Sequence, residues 1–328
     1  MMLTLRVEML EYNFNVVFCL GWCEKHMIIS VIDVSTFQKT DSDTLYQNFP
    51  VGALSKCVLY QDGTWYLFKS VAQRKDKPDE EPILYYHQIW SEVLAYHLGL
   101  SFGLPMAETC VGFGHPEVKF TCGVLSSWFK KPKEAWITGH IFLTDLIDEY
   151  DAEKGKKHYL DVILEHTQRI PASFEYWLKL CLFDTLIANQ DRHHENWELI
   201  RDTKLSPLYD LGSSFAFDHR GSLSQYNHEQ QFKRFKAKLR LSTQPDVWLK
   251  LPEMLYFFKE YNIRAYTQIG TQFFDAYDPT FVMCLLDNAL TIKHIPSEYH
   301  LSDERATFIG RFLEKRFLAL YTAFKETL

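Results

Sequence analysis

Asp191, Asn196 and Asp210 are the residues of this 328-residue chain whose types and spacing suit phosphoryl transfer. They lie in the stretches NQDRHHENW (Asn189–Trp197) and LSPLYDLGSS (Leu205–Ser214). Asp210 and Asn196 offer a carboxylate and an amide oxygen. Together these can hold magnesium, a hard cation that takes oxygen ligands and keeps several waters. Asp191 has no need to be a ligand and can accept the proton of an attacking hydroxyl. Phosphoryl transfer asks a protein mainly for positioning and for neutralisation of charge, and this set can supply both. Asp and Asn also cap helices and build turns, so the trio on its own leaves that simpler reading open.

The elements around the trio would have to position it. Phe174–Asn189 is apolar almost all round and predicts a buried helix. Trp197–Ile200 and Leu205–Leu208 read as a hairpin, with Arg201–Lys204 as a four-residue polar turn. Pairing Ile200 with Leu205 sets Asn196 opposite Tyr209, beside Asp210. Upstream, Ser55–Tyr60 and Trp65–Lys69 read as strands joined through an Asp-Gly turn at Asp62-Gly63. Ile89, Val93, Leu94 and Leu98 share one face of a helix over Tyr86–Leu98. Phe120–Phe129 is a further strand. Pro252–Tyr261, Thr280–Leu290 and Asp303–Phe324 read as helices, with Pro279 and Ser302 suited to helix starts. Gln73–Pro82 and Asp148–His158 are charged interruptions. The order is a strand-rich half followed by a helical half, an α+β architecture.

Composition narrows the function. Hydrophobic residues make up 47% of the chain, enough for a sizeable core. A net charge of −7 argues against direct nucleic-acid binding, which needs a basic footprint. The 7 cysteines include no CxxC pair, so a disulfide framework is not expected and a cytoplasmic setting is. No apolar run reaches the length of a membrane span. Val16–Cys23 follows Glu8 and Glu11 and makes a poor signal peptide. Met27 is a candidate alternative start, which would leave residues 1–26 as an extension outside the fold.

The stretch DTLIANQDRHHENW, followed by LSPLYDLGSS, resembles the catalytic core of the HipA-like kinases. These are bacterial relatives of protein and lipid kinases, often toxins of toxin–antitoxin pairs. The resemblance extends over about residues 28–325. It implies a two-lobed protein-kinase-like fold, with an N-lobe over 27–130 and a helical C-lobe over 131–328. YLFK, ending at Lys69, resembles the strand whose lysine contacts nucleotide phosphates, and Glu92 its partner on the following helix. Gly52, Ser55 and Lys56 resemble the loop over the phosphates, although the motif is not a Walker A sequence. Gly123–Phe129 resembles the strand and hinge at adenine, which puts Leu125 and Ser127 there. His193 would orient the catalytic loop at the nucleotide site.

The implied chemistry is ATP- and magnesium-dependent transfer to a protein serine or threonine hydroxyl. In this family the target is sometimes an aminoacyl-tRNA synthetase, which makes the kinase a growth inhibitor, and a helix-turn-helix antitoxin is the implied partner. Some members autophosphorylate a serine before the glycine loop, where this chain has Phe49 and Pro50. Aminoglycoside-type small-molecule kinases also use an Asp, an Asn five residues later and a further Asp. A pseudokinase binding module is the other rival, and the intact set of Lys69, Glu92, Asp191, Asn196 and Asp210 speaks against it.

Two features remain. His193 and His194, beside Asp191 and Glu195, are types that bind zinc. Adjacent loop side chains diverge, however, and the resemblance accounts for both without a metal. Lys233, Arg234, Lys236, Lys238 and Arg240 form a basic run on an acidic chain. It reads either as a solvated helix face or as a docking site for an acidic partner or for RNA carried by the protein substrate.

Overall fold

The fold was described from a computed structural model. It describes residues 28–40, 56–71, 73–74, 83–116, 121–131, 133–150, 157–219 and 221–328. The proposed extension 1–26, Met27, Gly52 and Ser55 lie outside these residues.

The first half is organised by a hairpin. β3 (Lys56–Gln61) and β4 (Thr64–Lys69) pair from Gln61↔Thr64 to Lys56↔Lys69. Asp62 and Gly63 both take positive φ, 49° and 84°, the geometry of a two-residue turn whose twist matches the flanking strands. Glycine takes such a φ without penalty, which is why the Asp-Gly pair marks the turn. β1 (Val31–Asp33), β2 (Gln38–Thr40), β7 (Thr109–Phe113) and β8 (Cys122–Ser127) complete a six-stranded sheet in the order β1-β7-β8-β4-β3-β2. β1 and β7 are parallel, and every other neighbouring pair is antiparallel. β5 (Gln73–Arg74) and β6 (Ile83–Leu84) form a small separate ribbon.

The sheet has two different faces. Directly opposed residues share a face, and the register sets Lys69 against Lys56 on one side and Val124 on the other. Val111 and Val124 belong to this face and join the main core. Phe68, Leu59 and Leu125 point the opposite way and form a separate small core with Val34.

Helix α1 (His87–Ser101) covers the Lys69 face. Its residues Ile89, Trp90, Val93 and Ala95 are all but inaccessible, so it is packed on nearly every side. It is also fastened to the second half: Trp90 Nε1 donates to Tyr299 O at 2.7 Å, and Ser91 Oγ to Ser214 O at 3.0 Å.

The second half is helical: α2 (Gly139–Leu146), α3 (Leu160–Thr167), α4 (Ser173–Ile187), α5 (His228–Arg234), α6 (Leu251–Tyr261), α7 (Ile263–Asp275), α8 (Pro279–Thr291) and α9 (Asp303–Thr327). Ser302 caps α9 by accepting from Arg305 N, and Pro279 opens α8. α4 is the central helix, with Trp177, Leu178, Leu180, Leu182, Phe183 and Leu186 fully buried. The long α9 packs along it. Arg316 on α9 is buried and donates to the carbonyls of Thr185 and Leu186 in the last turn of α4, where carbonyls lack i+4 donors. Among the described residues no helix is long and apolar enough to cross a membrane.

The second half also carries a small three-stranded sheet. β10 (Glu198–Ile200) pairs with β9 (Ile137–Thr138) and β11 (Lys204–Leu205). The expected hairpin is present, but its register is one residue away from the sequence count. Ile200 pairs with Lys204 and Leu199 with Leu205. Asp202 adopts φ 52°, which lets Arg201–Thr203 close the turn in three residues rather than four.

Candidate active site

Asp184, near the end of α4, and Arg192, in the loop that follows, organise the centre. Arg192 Nε donates to Asp184 Oδ2 at 2.9 Å and Nη2 to Oδ1 at 3.2 Å. The guanidinium is 2% exposed. Its Nη1 then donates to two main-chain carbonyls, Asn196 O at 2.7 Å and Tyr209 O at 3.1 Å. One buried nitrogen therefore holds the backbone of Asn196 beside the residue that precedes Asp210. This bracket, together with the β10–β11 hairpin, brings the two expected magnesium ligands together. Asp184 also accepts from Asn189 Nδ2 at 3.0 Å, which fixes the start of the loop. The sequence reading missed both Arg192 and Asp184; their signal was the pairing of an acid and a base eight residues apart across a helix end.

Asn196 is buried, and its Nδ2 donates to Asp191 O at 2.6 Å. With the nitrogen turned inward, the amide oxygen is the atom left to face a cation. Asp191 is half-buried. Burial pushes its carboxyl above the ordinary value, opposed by His193 and reinforced by the charge of Asp210. Lys238 and Arg192 add smaller pulls downward. His193 Nδ1 accepts from Glu195 N at 3.3 Å, a contact within the loop itself.

Lys69 joins the two halves. Its Nζ lies 2.6 Å from Glu92 Oε1 and 3.0 Å from Asp210 Oδ1. Burial alone would lower the lysine, but the two carboxylates more than reverse it and raise its pKa above the ordinary value. Asp210 keeps 41% of its side chain reachable by solvent. Its surroundings oppose the charge, yet the Lys69 ammonium holds the carboxyl below its ordinary range. Asp210 adopts φ 58°, a left-handed conformation costly for a residue with a Cβ and often found at functional sites. Lys56 lies beside Lys69 on the same face, near enough for Asp210 to act on its charge, while burial lowers its pKa.

The arrangement fits a hard divalent cation. Asn196 supplies an amide oxygen, and Asp210 an ionised carboxylate of which Lys69 engages only Oδ1. Both are oxygen donors, and the Asp210 carboxylate is open to solvent, as magnesium on a polyphosphate requires.

Other expected residues are placed differently. Leu125 points into the small core behind the sheet, and Ser127 Oγ donates to Glu108 Oε2 at 3.0 Å. Both alternate away from Lys69; the β8 side chains on the Lys69 face are Cys122, Val124 and Ser126. The basic run is not one helical face. Lys233 and Arg234 end α5, and Lys233 pairs with Glu229. Arg240 is buried and stacks on the Trp248 ring at 4.0 Å.

His158 supports the loop from behind. Trp197 Nε1 can only donate, and it donates to His158 Nε2 at 3.0 Å. His158 Nδ1 must then carry the proton given to Lys238 O at 2.7 Å. Burial holds this imidazole neutral, its pKa pushed down to about 3.

A strand-rich half and a helical half, with a Lys–Glu pair in the first facing an Asp-Asn-Asp set in the second, define a kinase-like fold. Residues 50–255, more than half of the chain, match the family model described as the HipA-like C-terminal domain, and the chain belongs to that family. It is similar to the crystal structure of the Helicobacter pylori proinflammatory kinase CtkA, with a TM-score of 0.63 and 18% identity over 90% of this chain and 99% of that one. Weaker likenesses are to HipA of Shewanella oneidensis MR-1, in its complex with HipB and operator DNA (TM-score 0.47, 11% identity, 89% of this chain and 73% of that), and to the golgi casein kinase (0.43, 13%, 87% and 76%). No curated protein matches the chain.

Proposed function

We propose that the chain transfers the γ-phosphoryl group of ATP to a serine or threonine hydroxyl of a protein, with magnesium as the metal. The observation that carries the reading is the contact of Lys69 with both Glu92 and Asp210, which joins the two halves. In this reading residues 27–130 form the nucleotide-binding lobe and 131–328 the catalytic lobe. Lys69, with Lys56 beside it, meets the phosphates, and Glu92 keeps Lys69 in place. Asn196 and Asp210 would hold magnesium, which neutralises phosphate charge when bound. The substrate hydroxyl oxygen bonds to the γ-phosphorus as the bond to the β–γ bridging oxygen breaks. ADP leaves with that electron pair, and the hydroxyl proton passes to Asp191. A cytoplasmic, growth-inhibiting kinase with a helix-turn-helix antitoxin and an aminoacyl-tRNA synthetase target is what family membership suggests.

The test is transfer of labelled phosphate from ATP to protein in a cell extract and to the chain itself. Asp191→Asn should cost about 10²–10⁴-fold, the usual loss on removing a general base. Asn196→Ala and Asp210→Ala should abolish the magnesium-dependent part of the ATP-induced rise in melting temperature. ATP binding without transfer in the wild type would mean a binding module. Transfer to aminoglycosides but not to protein would mean a small-molecule kinase.

A further inference from the structure

We propose that His140, His194 and Glu195 bind a zinc-class divalent cation on the outer side of the catalytic loop, at a site separate from Asn196 and Asp210. Each of the three offers one ligand atom, and these atoms lie within 4.8 Å of one another. Two imidazoles and a carboxylate, with water as a fourth ligand, are a donor set for zinc. Magnesium, which wants oxygen ligands, is disfavoured there.

A second observation points to a ligand. His194 is 5% exposed, and its Nδ1 is buried with no hydrogen-bond partner among the described residues. Buried polar atoms are nearly always partnered, so an orphaned nitrogen beside two other metal-type donors is a place for a ligand. The His140 ring stands 5.4 Å from the His194 ring, centroid to centroid. His158 closes the far side but has no nitrogen to offer, since its Nδ1 and Nε2 are both engaged.

The backbone holds the donors in place. Gly139 and His140 open α2 and donate to Trp197 O at 2.9 Å and His194 O at 3.0 Å. A Cβ on Gly139 would lie 2.2 Å from the Trp197 ring, so only glycine lets the helix end approach the loop this closely. A cation on these residues would cross-link α2 to the loop that carries Asp191 and Asn196. The site does not depend on the phosphoryl-transfer reading.

The test uses the full chain stripped of metal, without ATP, which would chelate the probe. Zinc is added in excess magnesium, and the metal kept after gel filtration is counted; cobalt is added separately as a spectroscopic probe. The wild type should keep one zinc per chain and show the visible absorption of tetrahedral cobalt. His140→Ala and Glu195→Gln should each weaken zinc by about tenfold or more, at least the loss that disturbing a metal's outer-shell partner causes. The magnesium–ATP melting shift of His140→Ala should stay at the wild-type value, which separates loss of a ligand from loss of the fold. Three results would overturn the proposal: no zinc retained by the wild type, wild-type affinity in both variants, or loss on His193→Ala with none on His140→Ala.

Discussion

Arg192 and Asp184 form a two-point ion pair, at 2.9 and 3.2 Å, beneath the loop that carries Asp191 and Asn196. Both side chains are almost wholly buried, 3% and 6% exposed. Taking one partner away strands a charge in the interior, which typically costs about 3–5 kcal/mol. Arg192→Met should therefore lower stability by that order in urea unfolding. Adding Asp184→Asn to it should recover part of the loss, because the stranded charge is removed. The same variant should lower the transfer rate even where it is folded, since Asn196 and Tyr209 lose their common donor. A stability loss under about 1 kcal/mol would mean that the pair is not the bracket described here.

Asp191 gives a pH signature. Burial holds its carboxyl above the ordinary aspartate value of 3.8. A general base must be ionised, so the acid limb of kcat/KM should fall above that value. The charges facing Asp191 are His193, Asp210, Lys238 and Arg192, and the lysine pulls its pKa down. Lys238→Met removes that pull and should move the acid limb to higher pH. An unchanged limb in the variant would show that another group sets it.

The sequence revealed those parts of the site that depend on local chemistry. The Asp62-Gly63 turn needs positive φ at both positions, so the hairpin ending at Lys69 is readable from two residues. The helices expected over Pro252–Tyr261, Thr280–Leu290 and Asp303–Phe324 fall within a few residues of those bounds, whereas α7, with its apolar face and Asn262 cap, is absent from the sequence expectations. The hairpin register after Asn196 was misread because Asp202 enters the left-handed region and shortens the turn, which an Asp in a polar run does not announce. Which face of β8 looks at Lys69 depends on the pairing of Lys69 with Val124, a contact between distant segments. Leu125 and Ser127 were placed at adenine by strand identity alone, without that parity. The three-residue strand β1 is too short to show alternation and is held by pairing with β7.

His158 couples stability to pH. In the unfolded chain it takes a proton near its ordinary pKa of 6.5, whereas in the folded chain burial delays this to about 3. Between those values the unfolded state binds more protons, so stability falls as pH falls. The slope from this one group approaches about 1.4 kcal/mol per pH unit. His158→Gln cannot titrate and should flatten the acid side of a stability–pH curve. Urea unfolding of both proteins across the window is the measurement, and parallel curves would mean that His158 is accessible to protons in the folded chain.

The last expectation concerns the segment after Asp210. Lys233, Arg234 and Lys236 are exposed at the end of α5 and just beyond it, whereas Arg240 is committed to Trp248 and Pro245 O. The three exposed cations are therefore the part of the run that can meet a partner. Lys233 already pairs with Glu229 one turn back, an exposed contact that contributes little and yields to a competing acid. If an acidic protein substrate docks here, long-range attraction should speed its capture and weaken as salt screens it. Reversing all three to Glu should then slow phosphorylation by about 10-fold or more at low ionic strength. The difference should shrink at high salt, and ATP affinity should not change. Rates would be measured on the protein that the wild type labels in extract. Equal rates for both proteins at low and high salt would leave these residues as solvated charges on the end of a helix.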